Sequence, residues 1–255
     1  MDADKKAAAR RQYEEDGFYL LPQPILSAEI LEAASLGIER LVQGEYNTGT
    51  APTSQANPDP QALLKLNDAH RADNDVRALV THPEIGRLAA ALTGVQVWAS
   101  QLLIKPIGEK ALGKVGWHQD RQYWQYWEEG SQLFTAWVAI GDVDVDCGPM
   151  QFVRHSHNWG FLGQGDFFSQ KEVRHQIEVP QGQNWDVTPA LLPAGGVSFH
   201  HCLIYHGSEA NVSNHPRRSL AIHLRTERAR PRADAEGFYI EHLDDPVQCP
   251  VIFEG

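Results

Sequence analysis

Val95-Gln96-Val97-Trp98-Ala99-Ser100-Gln101-Leu102-Leu103-Ile104-Lys105 is the stretch at which the texture of this chain changes. It reads as a strand. Short strand candidates follow it at 115–120, 132–140, 149–153, 197–205 and 219–226. Turn signals separate them: Pro106-Ile107-Gly108, Gly113, Gly141-Asp142, Cys147-Gly148-Pro149, Pro193-Ala194-Gly195-Gly196 and Asn214-His215-Pro216. The residues before it read differently. An Ala-, Lys-, Arg- and Glu-rich run at 4–16 predicts a helix that Asp16-Gly17 closes, and Phe18-Tyr19-Leu20-Leu21 a short strand stopped by Pro22 and Pro24. Ser27 caps a second helix with an apolar stripe of Ile30, Leu31, Ala34, Ile38 and Leu41. His82-Pro83-Glu84 opens a third, ending at Gly94. Helices first and many short strands afterwards predict a helical flank on an all-β barrel or sandwich.

The bulk properties narrow the function. The chain has 255 residues, 42% of them hydrophobic, enough for a sizeable core. No repeat or linker interrupts it, so one domain is expected: a helical flank over 1–94, a β core over 95–226 and a C-terminal extension over 227–255. The net charge of −11 opposes a phosphate backbone, so no nucleic-acid partner is expected. Mean hydropathy is −0.41, and no run approaches the roughly 18 apolar residues of a membrane span. Three scattered cysteines (Cys147, Cys202, Cys249) suit a reducing compartment, and with no secretory signal the cytoplasm is expected. Twelve histidines direct attention to metal ligands.

Trp117-His118-Gln119-Asp120 is the first chemical feature. On a strand His118 and Asp120 would project to one face. A second histidine from a distant strand would complete a two-His-one-carboxylate triad, which suits non-haem Fe(II). Three open positions would remain, two for a bidentate 2-oxo acid and one for dioxygen. By itself a His-X-Asp is also what a half-buried strand with a satisfied histidine looks like. His200, His201 and His206 are all possible third ligands on spacing alone.

Phe199-His200-His201-Cys202-Leu203-Ile204-Tyr205-His206-Gly207-Ser208, with Arg217-Arg218-Ser219-Leu220 beyond it, resembles the phytanoyl-CoA dioxygenase family of Fe(II)/2-oxoglutarate oxygenases. Ala136-Trp137-Val138-Ala139-Ile140-Gly141-Asp142 and Gly148-Pro149-Met150 match the same pattern, and the resemblance runs from about 12 to 226. It implies a double-stranded β-helix, the cupin-like jelly roll, with N-terminal helices outside it. It implies iron on His118, Asp120 and His206, with His200 and His201 structural. Arg217, eleven positions after His206, would bind the far carboxylate of 2-oxoglutarate with Ser208, and Arg218 would face the other way. Gln101 and Lys105 would line the cosubstrate pocket, Lys105 alternatively being an edge-strand lysine. The expected activity is oxidation, by default hydroxylation, of a small organic molecule with Fe(II), 2-oxoglutarate and O2. The alternatives are a jelly-roll binding protein without turnover and a cupin isomerase; Arg217 at its family spacing opposes the latter.

Three further expectations concern the surroundings. Val153-Arg154-His155-Ser156-His157 departs from the family's Pro-Gly-Ser-His turn, which lies near the substrate mouth, and His157 is either a substrate contact or a structural histidine. Tyr123, Trp124, Tyr126 and Trp127 either wall an apolar substrate or pack a barrel end. Residues 46–61 read as a mobile loop. Residues 155–190, with Trp159, Phe161, Phe167, Phe168 and Trp185, read as a lid that orders on binding or, alternatively, as a permanently packed layer.

Overall fold

The computed structural model describes residues 3–253 apart from 22, 55–58, 60, 93–95, 108–112 and 173. Pro22, Gly94, Val95 and Gly108, used above as boundaries, lie outside the described residues. The chain begins with α1 (Ala3–Asp16), β1 (Phe18–Leu20) and α2 (Ala28–Gln43). The Ser27 hydroxyl accepts from Ile30 N, and Gly44 ends α2 in the left-handed conformation with φ 78°. Then come β2 (Leu64–Asn67), α3 (Ala69–Ala72), α4 (Asn74–Val80) and α5 (Pro83–Leu92). The β region follows: β3 (Gln96–Lys105), β4 (Val115–His118), β5 (Leu133–Ala139), β6 (Gln151–Val153), β7 (Val187–Pro189), β8 (Val197–His201), β9 (His206–Ser208) and β10 (Arg217–Arg225), before a last helical turn, α6 (Phe238–Glu241).

These strands form two antiparallel sheets in the order β1-β8-β5-β10-β3-β2 and β4-β9-β6-β7. The larger sheet is buried on both faces, and alternation divides its residues. Phe134, Ala136 and Val138 of β5 and Leu220, Ile222 and Leu224 of β10 pack in one core with Ala34, Ile38, Val76 and Ile85 of the helices. Trp137 and Ala139 of β5 and Ala221 of β10 face inward, onto Phe152 of the smaller sheet. The same alternation sends Arg217 inward and Arg218 outward, where it meets Glu39 of α2 at 3.5 Å.

The elements not expected from sequence are β7, α6 and the corner of β2, α3 and α4. Asp73 builds this corner. Its Oδ1 caps α4 by accepting from Asp75 N and Val76 N, and its Oδ2 takes the Arg40 Nε at 2.8 Å. The expected strand 197–205 ends at His201 as β8, and after Cys202–Tyr205 the chain enters the other sheet as β9, which was not expected as a strand. The expected strand 115–120 ends at His118, and Asp120 opens a 3-10 turn, Asp120–Tyr123. Much of 46–61 is tied down: Thr48 Oγ1 donates to Arg71 O at 2.6 Å and Thr53 N to Asn67 O at 3.1 Å. Among the described residues no helix is long and apolar enough to cross a membrane.

Candidate active site

His118 closes β4, and its Cα pairs in register with His206, the first residue of β9. The strands approach closely because Gly207 has no side chain: a Cβ there would stand 3.0 Å from Val115 O. Asp120 comes from the 3-10 turn, so a break in the strand, and not strand alternation, brings its carboxylate back to His118. The Nε2 atoms of His118 and His206 each lie 3.7 Å from Asp120 Oδ1. One ligand atom from each of the three residues falls within 4.8 Å of the other two, and all three residues are buried.

The hydrogen bonds set the tautomers. His118 Nδ1 lies 2.8 Å from Gly116 O and His206 Nδ1 3.1 Å from Ile204 O. A carbonyl only accepts, so each Nδ1 carries the proton and each Nε2 presents a lone pair to the cluster. Burial, with His118 alongside, holds His206 well below the ordinary histidine range and therefore neutral. Burial penalises the Asp120 carboxylate, and positive charge among the neighbouring histidines lowers its pKa well below the usual range; with the imidazoles neutral, a bound divalent metal would supply that charge. Its two oxygens have separate duties. Oδ2 accepts from Thr135 Oγ1 at 3.2 Å and lies 3.4 Å from His200 Nε2, whereas Oδ1 faces the two lone pairs. Two neutral imidazoles and one ionised carboxylate match the donor set of Fe(II).

Arg217 lines the same cavity. It is buried, and burial draws its pKa down to about 10. It lies over Trp137 with 5.2 Å to the ring centroid, and it donates to Gly148 O at 2.6 Å. Gly148 reaches it because its φ of 67° suits glycine. Its Nε has no partner, and no carboxylate pairs with it among the described residues. A buried guanidinium of this kind is the observation that fits a carboxylate cosubstrate. Ser208 and Gln101 line this cavity as well. Lys105 does not. Interior strand β3 buries it completely, and its ammonium donates to Ser208 O at 3.3 Å and to Glu209 O, which ties β3 to the end of β9.

The profile of the family described as Phytanoyl-CoA dioxygenase (PhyH) matches residues 13–219. The chain belongs to the phytanoyl-CoA dioxygenase family. It is a 2-oxoglutarate-dependent non-haem iron dioxygenase with a jelly-roll fold. Similar proteins include the peroxisomal phytanoyl-CoA dioxygenase of Bos taurus, 25% identical over 91% of this chain and 69% of that protein. The ectoine dioxygenase of Stutzerimonas stutzeri is 25% identical over 94% of this chain and 78% of its own length. Among solved structures, the non-heme alpha ketoglutarate dependent epimerase SnoN from nogalamycin biosynthesis superposes with a TM-score of 0.71 at 24% identity, covering 93% of this chain and 89% of that one. EctD from S. alaskensis, solved with 2-oxoglutarate and 5-hydroxyectoine, gives 0.67 at 19% identity, covering 91% and 78%.

In this dioxygenase two residues that sequence reading set aside or missed stand at the site. His200 packs against the Asp120 carboxylate, with its ring centroid 4.7 Å from that of His206. His223 reaches the same carboxylate through Thr135, whose Oγ1 lies 2.9 Å from His223 Nδ1. Pairing aligns them: Thr135 of β5 stands opposite His200 of β8 and His223 of β10. The signal was alternation along β10, where Arg217 and His223 are six apart and share a face, but it needed the strand register. The aromatic run divides between its two readings. Tyr123 and Trp124 wall a second cavity beside the His-Asp-His cluster, and Trp124, Tyr126 and Trp127 pack with Trp98 and Leu133 in a core. The turn at 154–157 faces the helical flank and not the site. His155 Nδ1 and His157 Nε2 bond the carbonyls of Glu15 and Glu14 at 2.8 and 3.0 Å, and Arg154 pairs with Asp16 at 2.7 Å.

Proposed function

We propose that His118 Nε2, Asp120 Oδ1 and His206 Nε2 hold Fe(II), that Arg217 and Ser208 hold the far carboxylate of 2-oxoglutarate, and that the enzyme oxidises, by default hydroxylates, a small organic molecule. The observation that carries the reading is the unpaired buried guanidinium of Arg217 on the wall of the cavity that also contains the His-Asp-His cluster. When bound, the iron supplies the activation of dioxygen, coupled to decarboxylation of 2-oxoglutarate to succinate. The residues of the chain do the rest. The Nδ1–H donors of His118 and His206 to backbone carbonyls keep both Nε2 lone pairs aimed at one point. Thr135 and His200 hold Asp120 Oδ2 so that Oδ1 stays turned to the cluster. Arg217 orients the cosubstrate by its fork, and Trp137 and Met150 on the same wall exclude water. Gln101, at the wall shared with the second cavity, is a proposed polar contact to cosubstrate. Three buried, unpaired cysteines suit the cytoplasm, which we propose as its location.

Anaerobic titration with Fe(II) and 2-oxoglutarate tests the reading. A visible metal-to-ligand charge-transfer band is expected, and His118→Ala and His206→Ala are each expected to abolish it. An undiminished band in both variants would overturn the ligand assignment. A band with no succinate formed in air across a metabolite library would favour a binding protein over an enzyme.

A further inference from the structure

Lys65 brings a positive charge to the inner face of the larger sheet with no ion pair among the described residues. It lies half-buried on β2, opposite Leu103 of β3 in register. Its ammonium stands over the ring of Phe167, 4.4 Å from the centroid, and 5.5 Å from that of Phe168. Among the described residues it has no hydrogen bond and no ion pair, only these two ring faces. Burial lowers the pKa of the ammonium, and the charge of Asp120 opposes that. Asp120, however, is engaged by Thr135 and the histidines.

The chamber that Lys65 lines has a volume of about 160 Å³ and shares Gln101, Asp120, Phe167 and His223 with the metal cavity. Three polar atoms of its other lining residues are buried and unpartnered: Asn67 Oδ1, Trp98 Nε1 and His223 Nε2. Trp98 is 2% exposed and His223 4%. Buried polar groups normally have partners, and three unmatched ones around one space, with the Lys65 ammonium beside them, point to a polar ligand in it. The remaining wall is aromatic, from Tyr123, Trp124, Phe167 and Phe168. The volume is close to the roughly 150 Å³ that accepts one benzene ring. A single lysine balances a single negative charge, which fits a carboxylate better than a phosphate dianion.

We propose that this chamber is the substrate subsite and that it takes a compact monocarboxylic acid of about one ring, with its carboxylate on Lys65 and its body between Tyr123, Trp124 and Phe167. Lys65 is then a specificity residue, placed across the chamber from the Asp120 edge where oxidation occurs. The inference rests on the oxygenase reading above and names the substrate class for it.

Calorimetric titration of the full-length protein with benzoate and with its neutral isostere benzamide tests the proposal, and it does not require turnover. Benzoate is expected to bind about tenfold more tightly than benzamide, or better. The preference should vanish in Lys65→Met and persist in Lys65→Arg, with circular dichroism confirming that both fold. It should also persist in Arg217→Met, which removes the cosubstrate's cation. A preference that survives Lys65→Met, or that disappears in Arg217→Met, would overturn the proposal. So would a protein that binds neither compound at millimolar concentration. The charge-transfer band separates this failure from that of the oxygenase reading. A wild-type band without benzoate selectivity rejects only the substrate class, whereas selectivity without a band rejects only the iron and cosubstrate assignment.

Discussion

Arg217 and Arg218 are adjacent in sequence and opposite in consequence. Arg217 is buried with an unpaired Nε, while Arg218 is partly exposed and 3.5 Å from Glu39 on the outer face. Losing one member of a buried hydrogen-bonded charge pair costs about 2–5 kcal/mol in binding. At about 1.4 kcal/mol per decade, Arg217→Ala should raise the 2-oxoglutarate requirement by roughly 30-fold to several thousand-fold. An exposed pair is worth about 0–1 kcal/mol, so Arg218→Ala should leave that requirement nearly unchanged. Titrating succinate formation against 2-oxoglutarate in both variants checks the ranking, and the reverse order would refute the inward placement of Arg217. Lys105 shows how far a single residue can be read from its neighbours. Its place on β3 was legible, but what its ammonium would meet was not, because Ser208 and Glu209 lie a hundred positions away.

At the scale of elements, the corner of β2, α3 and α4 joins the helices to the sheet that carries the site. His70 of α3 is fully buried there, with Nδ1 2.7 Å from Ser100 Oγ on β3 and Nε2 2.9 Å from Gln248 O. Burial lowers its pKa to about 4 from the ordinary value of 6.5. The unfolded chain therefore takes up a proton below about 6.5 that the folded chain refuses until about 4. The contribution of His70 is complete above 6.5 and falls by about 1.4 kcal/mol per pH unit as the pH drops through that window. Urea unfolding of wild type and His70→Gln between pH 7 and 4 should show the wild type losing stability more steeply. Parallel slopes would show that His70 is not buried neutral. This corner was illegible in the sequence because its elements are four to seven residues long. Elements that short carry too little periodicity to be read, and tertiary bonds such as Asp73 to Arg40 hold them in place.

Across the whole molecule, the described residues of 159–186 pack as an outer layer beside β4. Trp185 meets Trp117 edge-on at 5.1 Å and Tyr205 at 5.5 Å, and Arg174 covers its ring at 4.0 Å. Asp166 N donates to Trp117 O at 3.0 Å and Gly116 N to Phe167 O at 3.1 Å, so the segment extends the sheet beside β4. Gln119, buried between His118 and Asp120, clamps it further: Nε2 donates to Gly160 O at 2.8 Å and Oε1 accepts from Leu162 N at 2.9 Å. These contacts favour the packed layer over the closing lid. Hydrogen exchange at 160–167 should be slow in the metal-free protein and change little when metal and 2-oxoglutarate are added under anaerobic conditions. Protection that arises only on binding would restore the lid.

From the sequence alone one could read the long helices, seven of the strand regions and the resemblance to the family, which singled out His118, Asp120, His206 and Arg217. The elements are announced by periodicity and turn signals and the family by several short motifs together, and these are local properties of a chain. What tertiary structure decided is the environment of those residues. The row of His200, Thr135 and His223 behind Asp120 exists only through the register of β8, β5 and β10. The chamber beside the His-Asp-His cluster joins Lys65, Trp124 and Phe167 from three separate segments. Strand pairing and side-chain burial bring such groups together across long sequence separations, and no periodicity in the chain encodes which distant strand a given one will meet.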